Sequence, residues 1–101
     1  MTGKSFAKIR MRKNEDVVDK FISGGMMGGT KHLFIEGPTL YSYGHHFPLA
    51  KRVPEGLLLN TDRYSMTTSH HRGLVNRMAS AAHIPVHPTT TKRLEEGQES
   101  I

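Results

Sequence analysis

The chain contains no cysteine and no tryptophan. Without cysteine there is no disulfide, no thiolate metal site and no cysteine nucleophile, so any metal would have to be held by His, Asp or Glu. The composition suits a reducing cytoplasm. Hydrophobic residues make up only 36% of 101 residues and aromatics 7%. That allows one small domain, which buries roughly two-thirds of its unfolded surface and would gain from homo-oligomer contacts. No apolar run approaches the roughly 20 residues of a bilayer span. The positive N-terminus "MTGKSFAKIRMRKN" is not followed by the apolar stretch of a signal peptide. The expectation is a soluble intracellular protein with no membrane partner.

What the chain does have is positive charge, unevenly placed. The net charge is +5 with histidine neutral. Lys4, Lys8, Arg10, Arg12 and Lys13 fill the first segment with no acid among them, Glu15, Asp16 and Asp19 follow at once, and the tail holds Glu95, Glu96 and Glu99. A cluster of one sign favours an anionic partner, nucleic acid first. The plainer alternative is a solvated basic face.

Periodicity places these charges on elements. "FAKIRMRK" alternates, with Ala7, Ile9 and Met11 on one side and Lys8, Arg10 and Arg12 on the other, which predicts a strand with a basic outer face. "NEDVVDKFIS" predicts a short helix capped by Asn14 with a stripe of Val17, Val18, Phe21 and Ile22. "GGMMGG" reads as a connection or as a partner-binding loop using its methionines; no Lys-Ser/Thr follows and no strand precedes, so P-loop spacing fails. From His32 to Thr68 short alternating runs separated by Gly37-Pro38 and Pro54-Glu55-Gly56 predict an antiparallel meander, with "RYSMT" as its last strand. Pro48 should lie on an edge strand or at a bulge. "TTSHHRGLVNRMASAAH" switches to helical period, with Thr68 or Ser69 as cap, Leu74, Met78 and Ala81 or Ala82 as one stripe, His71 and Val75 beside it, and Pro85 as terminator. The fold class expected is α+β: a small antiparallel sheet packed with one C-terminal helix and a short N-terminal helix. One domain is expected over 1–88, and an extended or disordered tail over 89–101.

Seven histidines stand out, above all the pairs His45-His46 and His70-His71. Near a helix N-terminus a neutral imidazole is favoured, the form that binds metal or acts as a base. His46, Asp62, His70 and His71 are the candidate metal set, with zinc as the ion. A histidine-dependent hydrolase or nuclease is the catalytic alternative, although no Ser-His-Asp order or acid pair is apparent. His83 and His87 are separated by Pro85 and cannot share a helical face. The bland alternative is that histidines bond turns or lie on the surface. Tyr41 and Tyr43, with Lys51, Arg52 and Arg63, offer another pattern: aromatics on a sheet flanked by bases, one route to single-stranded nucleic acid. RNP motifs are absent.

Over residues 39–75 the run "TLYSYGHHFPLAKRV…LLLNTDRYSMTTSHHRGLV" resembles small domains of unknown function in bacteriophage and mobile-element proteins. The resemblance implies that the Tyr-Ser-Tyr-Gly and Asp-Arg-Tyr-Ser segments belong to one compact unit, and it implies a phage accessory or virion-associated protein. It carries over no catalytic residue. The leading expectation is therefore a non-catalytic basic accessory protein, in the host cytoplasm or the virion. It would contact nucleic acid through Lys8, Arg10, Arg12, Lys13, Tyr41, Tyr43, Lys51, Arg52 and Arg63. The competing class is a protein-interaction module bound to a host or virion protein.

Overall fold

The computed structural model describes residues 13–45 and 47–101. The alternating basic segment, apart from Lys13, and His46 lie outside them. The first helix, α1 (Asn14–Ile22), buries Val17, Val18 and Phe21 completely, the i, i+1, i+4 pattern of a narrow apolar stripe. Its cap is Lys13, with no side-chain bond, and Asn14 is the first helical residue. The expected capping by Asn14 fails because that side chain is used elsewhere, as shown below.

A meander follows: β1 (Met27–Gly29), β2 (Leu33–Glu36), β3 (Thr39–Ser42), β4 (Pro48–Val53) and β5 (Gly56–Asn60). Part of the glycine-methionine run thus becomes a strand. The helix α2 (Met66–Ala81) then crosses to β6 (Val86–Thr89), which pairs with β5 in parallel. The result is one six-stranded sheet in the order β1-β2-β3-β4-β5-β6, antiparallel except at the last pair. The architecture is α+β. Among the described residues no helix is long and apolar enough to cross a membrane.

Both long helices share one face of the sheet. Val17, Val18 and Phe21 of α1 and Val75 and Ala79 of α2 form one core with Leu33, Ile35, Leu40, Ala50, Leu57 and Leu59. The stripe of α2 is rotated from the expected one: Thr68, His71, Val75 and Ala79 are buried, Leu74 and Met78 only flank the core, and Ala81 is exposed. A polar pair can occupy the central line because both members find partners there. Helix α2 also starts earlier than expected. Ser65, not Thr68 or Ser69, caps it by accepting from the Thr68 N–H at 3.1 Å, so "RYSMT" ends in a helix rather than a strand.

Pro48 opens β4, an interior strand, beside a register shift at Leu40/Tyr41. Its carbonyl accepts from the buried Asn60 amide at 2.8 Å. Gly56, at φ +132°, lets the chain return: a Cβ there would run into the Pro85 carbonyl oxygen, which instead accepts from the Leu57 N–H at 2.9 Å and starts the parallel pairing.

The segment expected as an extended or disordered tail is partly helical. α3 (Thr91–Glu95) is capped by Thr90 and buries Leu94 as it packs on β4. Its start is fixed by polar contacts from β5. The Asn60 amide donates to Thr91 Oγ1 at 2.8 Å, its Oδ1 accepts from the Asp62 N–H at 2.8 Å, and Asp62 Oδ2 accepts from the Thr91 N–H at 2.8 Å. Arg72 of α2 donates to the carbonyls of Asn60 and Asp62. Tail, sheet and helix therefore meet at one buried amide. Replacing Asn60 by Ala strips the Pro48 carbonyl of its donor and should cost about 2 kcal/mol, read as a lower urea midpoint in equilibrium unfolding.

Candidate functional site

The helix face of the sheet closes on a polar network centred on His71, which is 4% exposed. The second turn of α2 aims His71 at β3, where Ser42 shares the inward register of Leu40. Ser42 Oγ lies 2.8 Å from His71 Nδ1 and 3.0 Å from Thr68 Oγ1. On the other side of the ring the Asn14 amide nitrogen lies 3.4 Å from His71 Nε2. Asn14 Oδ1 in turn accepts from the Thr30 hydroxyl at 2.9 Å, in the turn between β1 and β2.

The direction of the bonds follows from Asn14. Its NH2 group only donates, so Nε2 accepts, and Nδ1–H donates to Ser42. His71 is therefore neutral in this arrangement. A second proton on Nε2 would face the NH2 of Asn14. Burial, reinforced by the charges of His32 and His70, holds the His71 pKa below the ordinary imidazole value, in agreement with the bonding. The order hydroxyl–imidazole–amide has the composition of a nucleophile relay, but Ser42 is fully buried and its oxygen meets no solvent. The arrangement as it stands clamps α1, the β1–β2 turn, β3 and α2 together.

The other histidine-based expectations separate in space. His70, next to His71 on the helix, is exposed. Asp62 is committed to the start of α3. Among the described residues no three His, Asp or Glu side chains are grouped so as to hold a metal, so Asp62, His70 and His71 are not brought together; His46, the fourth member of the expected set, lies outside the described residues. His45 lies on the surface and pairs with Glu36 at 2.6 Å.

The expected nucleic-acid residues also divide. Arg52 turns to the helix side. Its Nη1 donates to the carbonyls of Phe21 and Gly25 at 2.7 and 2.6 Å, and its guanidinium lies 5.1 Å from the Phe21 ring centroid. It thus adds donors, and a positive charge beside that of Lys20, at the C-terminal end of α1. Lys51 donates to the Gln98 carbonyl at 2.7 Å. Arg63 is exposed. Tyr41 is half-buried beside Phe34 and His45, and Tyr43 lies against His32 with ring centroids 4.4 Å apart. Burial and the Glu36 carboxylate push the Tyr41 phenol up.

The surface charge of the helical layer is split. The exposed side of α1 carries Glu15, Asp16 and Asp19, whereas α2 contains no acid and exposes His70 and Arg77. Residues 13–101 as a whole hold ten Lys and Arg against nine Asp and Glu, so four of the five net charges come from Lys4, Lys8, Arg10 and Arg12.

Asn14, Thr30, Ser42 and Asn60 were not anticipated as structural centres. Ser42 left a signal: it shares the face of Leu40, and a serine in an apolar register must find a partner. The others left none, because their partners lie far away in sequence. Compared with known proteins, the chain matches no protein-family model, no curated protein and no solved structure.

The depressed His71 pKa fixes a sign for pH dependence. Below about 6.5 the unfolded chain takes up a proton that the folded chain resists. The stabilisation is complete above that value and is lost as pH falls from there toward the lower folded pKa. Thermal midpoints measured from pH 8 to 5 should therefore fall on the acid side, and His71→Gln should show a smaller fall. Arg52→Ala should lower stability by about 1–2 kcal/mol in chemical denaturation, with native-state hydrogen exchange quickened first at the C-terminal end of α1.

Proposed function

We propose that this is a small, non-catalytic, nucleic-acid-contacting protein of the phage accessory type, which grips the phosphate backbone through Lys8, Arg10, Arg12 and Lys13. The observation that carries this reading is the division of charge. The body is almost neutral, and the excess is concentrated in one acid-free stretch that ends at Lys13. Lys13 enters the body beside Asn14, whose side chain is tied to Thr30 and His71, so the basic stretch joins the fold at the β1–β2 turn and the start of α2. Exposed Lys31 belongs to that same turn. Backbone contacts by clustered Lys and Arg release counterions and give affinity that is steeply dependent on salt. Arg52 is outside this reading, since its donors hold α1. The phage assignment rests on the resemblance of residues 39–75.

The test is binding of labelled DNA and RNA to the full chain across a salt series. Affinity should fall steeply with salt. A variant with Lys8, Arg10 and Arg12 all changed to Ala should lower the slope of log K against log salt by about two on single strands and nearly three on duplex DNA. Salt-independent behaviour, or an unchanged slope in the variant, would count against nucleic acid and for a protein partner.

A further inference from the structure

The ring of His71 is held unequally on its two sides. Toward β3, Nδ1–H donates to Ser42 at 2.8 Å, and that bond survives whether the ring carries one proton or two. Toward α1, Nε2 meets the Asn14 amide at 3.4 Å, and that contact needs Nε2 without a proton. Proton uptake at Nε2 therefore acts on one side of the network alone.

The charged ring has no anion to meet. The titratable and charged groups on the elements around it are Lys13 and Glu15, exposed on either side of Asn14; Lys31 and His32 of the β1–β2 turn; Tyr43 just past β3, its ring centroid 6.5 Å away; and His70 beside it on α2. Among the described residues the only ion pair is His45–Glu36, so no carboxylate is bonded to the imidazole. Burial and the charges of His32 and His70 oppose a charge on His71. An imidazolium at this buried position has to reach water.

The two sides also differ in what else fastens them. Ser65 caps α2, Thr68 Oγ1 lies 3.0 Å from Ser42 Oγ, and Arg72 donates to the carbonyls of Asn60 and Asp62. The start of α1 has no side-chain cap, and Asn14 ties Thr30 to His71. Further along, Val17, Val18 and Phe21 sit in the core and Arg52 holds the last turn of α1. The first turn of α1 and the β1–β2 turn are thus the parts that depend on the ring.

We infer that His71 is an acid-operated latch: proton uptake at Nε2 releases the first turn of α1 together with the β1–β2 turn, while the rest of the sheet, α2 and the Arg52-held end of α1 stay in place. The proton comes from solvent. The Nε2–Asn14 hydrogen bond breaks, the Nδ1–Ser42 bond remains, and the opened end admits water to the ring. The latch is independent of the nucleic-acid reading. An aspartate at position 14 would reverse its sign. One carboxylate oxygen keeps the bond from the Thr30 hydroxyl, the other accepts from the doubly protonated ring, and a negative charge suits the first turn of a helix.

Amide hydrogen exchange and imidazole 15N titration of the full chain, followed by NMR from pH 7.5 to 5, test the latch. As His71 takes up its proton, protection factors should fall by about tenfold or more at Val17, bonded to the Lys13 carbonyl, and at Thr30, bonded to the Leu33 carbonyl. Leu57 of β5, bonded to the Pro85 carbonyl, should keep its protection. His71→Gln, which cannot take the charge, should show no such fall. In Asn14→Asp the His71 pKa should lie above the ordinary imidazole value of about 6.5, and Val17 and Thr30 should be protected at pH 5 at least as well as at pH 7.5. That variant reads the sign even where His71→Gln does not fold. A His71 ring still neutral at pH 5, equal loss of protection at Leu57 and Val17, a fall that persists in His71→Gln, or an Asn14→Asp variant that opens on acidification like the parent would each overturn the latch.

Discussion

A neutral imidazole, buried and bonded at both nitrogens, is the constraint on which the helical layer depends. His71 accepts from Asn14 and donates to Ser42, and Ser42 is bonded on to Thr68. Four segments distant in sequence are thereby joined at one ring: the start of α1, the β1–β2 turn through Thr30, the end of β3 and the first two turns of α2. An apolar side chain of similar size could fill the space but would leave the Asn14 amide and the Ser42 hydroxyl without partners at a buried site. The network also explains local choices that look unfavourable alone. Helix α1 does without a side-chain cap because Asn14 is spent on His71.

A second polar centre plays the same part at the opposite side of the sheet. Asn60 is fully buried and uses both amide ends, reaching Pro48, Thr91 and Asp62. It holds the strand-opening proline of an interior strand and fixes the short helix α3. A small core gains definition from such centres. With few large apolar residues, directional bonds decide which of several similar packings is adopted.

These two uses of polar residues leave the surface with a simple division of labour. Arg52, Lys51 and Arg72 are drawn into holding elements together. Of the other described cations, Lys31 is exposed in the β1–β2 turn, and Arg63, Arg77, Lys92 and Arg93 are exposed elsewhere on the surface.

Several features were legible in the sequence because they depend on neighbours along the chain. Spacing of Val17, Val18 and Phe21 determines α1; alternation and the turns at Gly37-Pro38 and Pro54-Glu55-Gly56 determine the meander; the missing acids of residues 1–13 determine where positive charge lies. Other features only the tertiary structure decided. Whether Arg52 faces a ligand or the carbonyls of α1 depends on which side of β4 it occupies, and the register shift beside Pro48 belongs to a pair of strands rather than to one. That His71 joins Ser42 and Asn14 instead of Asp62 and His70 depends on the rotation of α2 about its axis. That rotation is set by packing against α1, 57 positions away along the chain at the Asn14–His71 contact. Periodicity records which face of an element is apolar. It holds no record of which distant polar groups that face will meet, because hydrogen-bond partners are selected in space after the chain has folded back on itself.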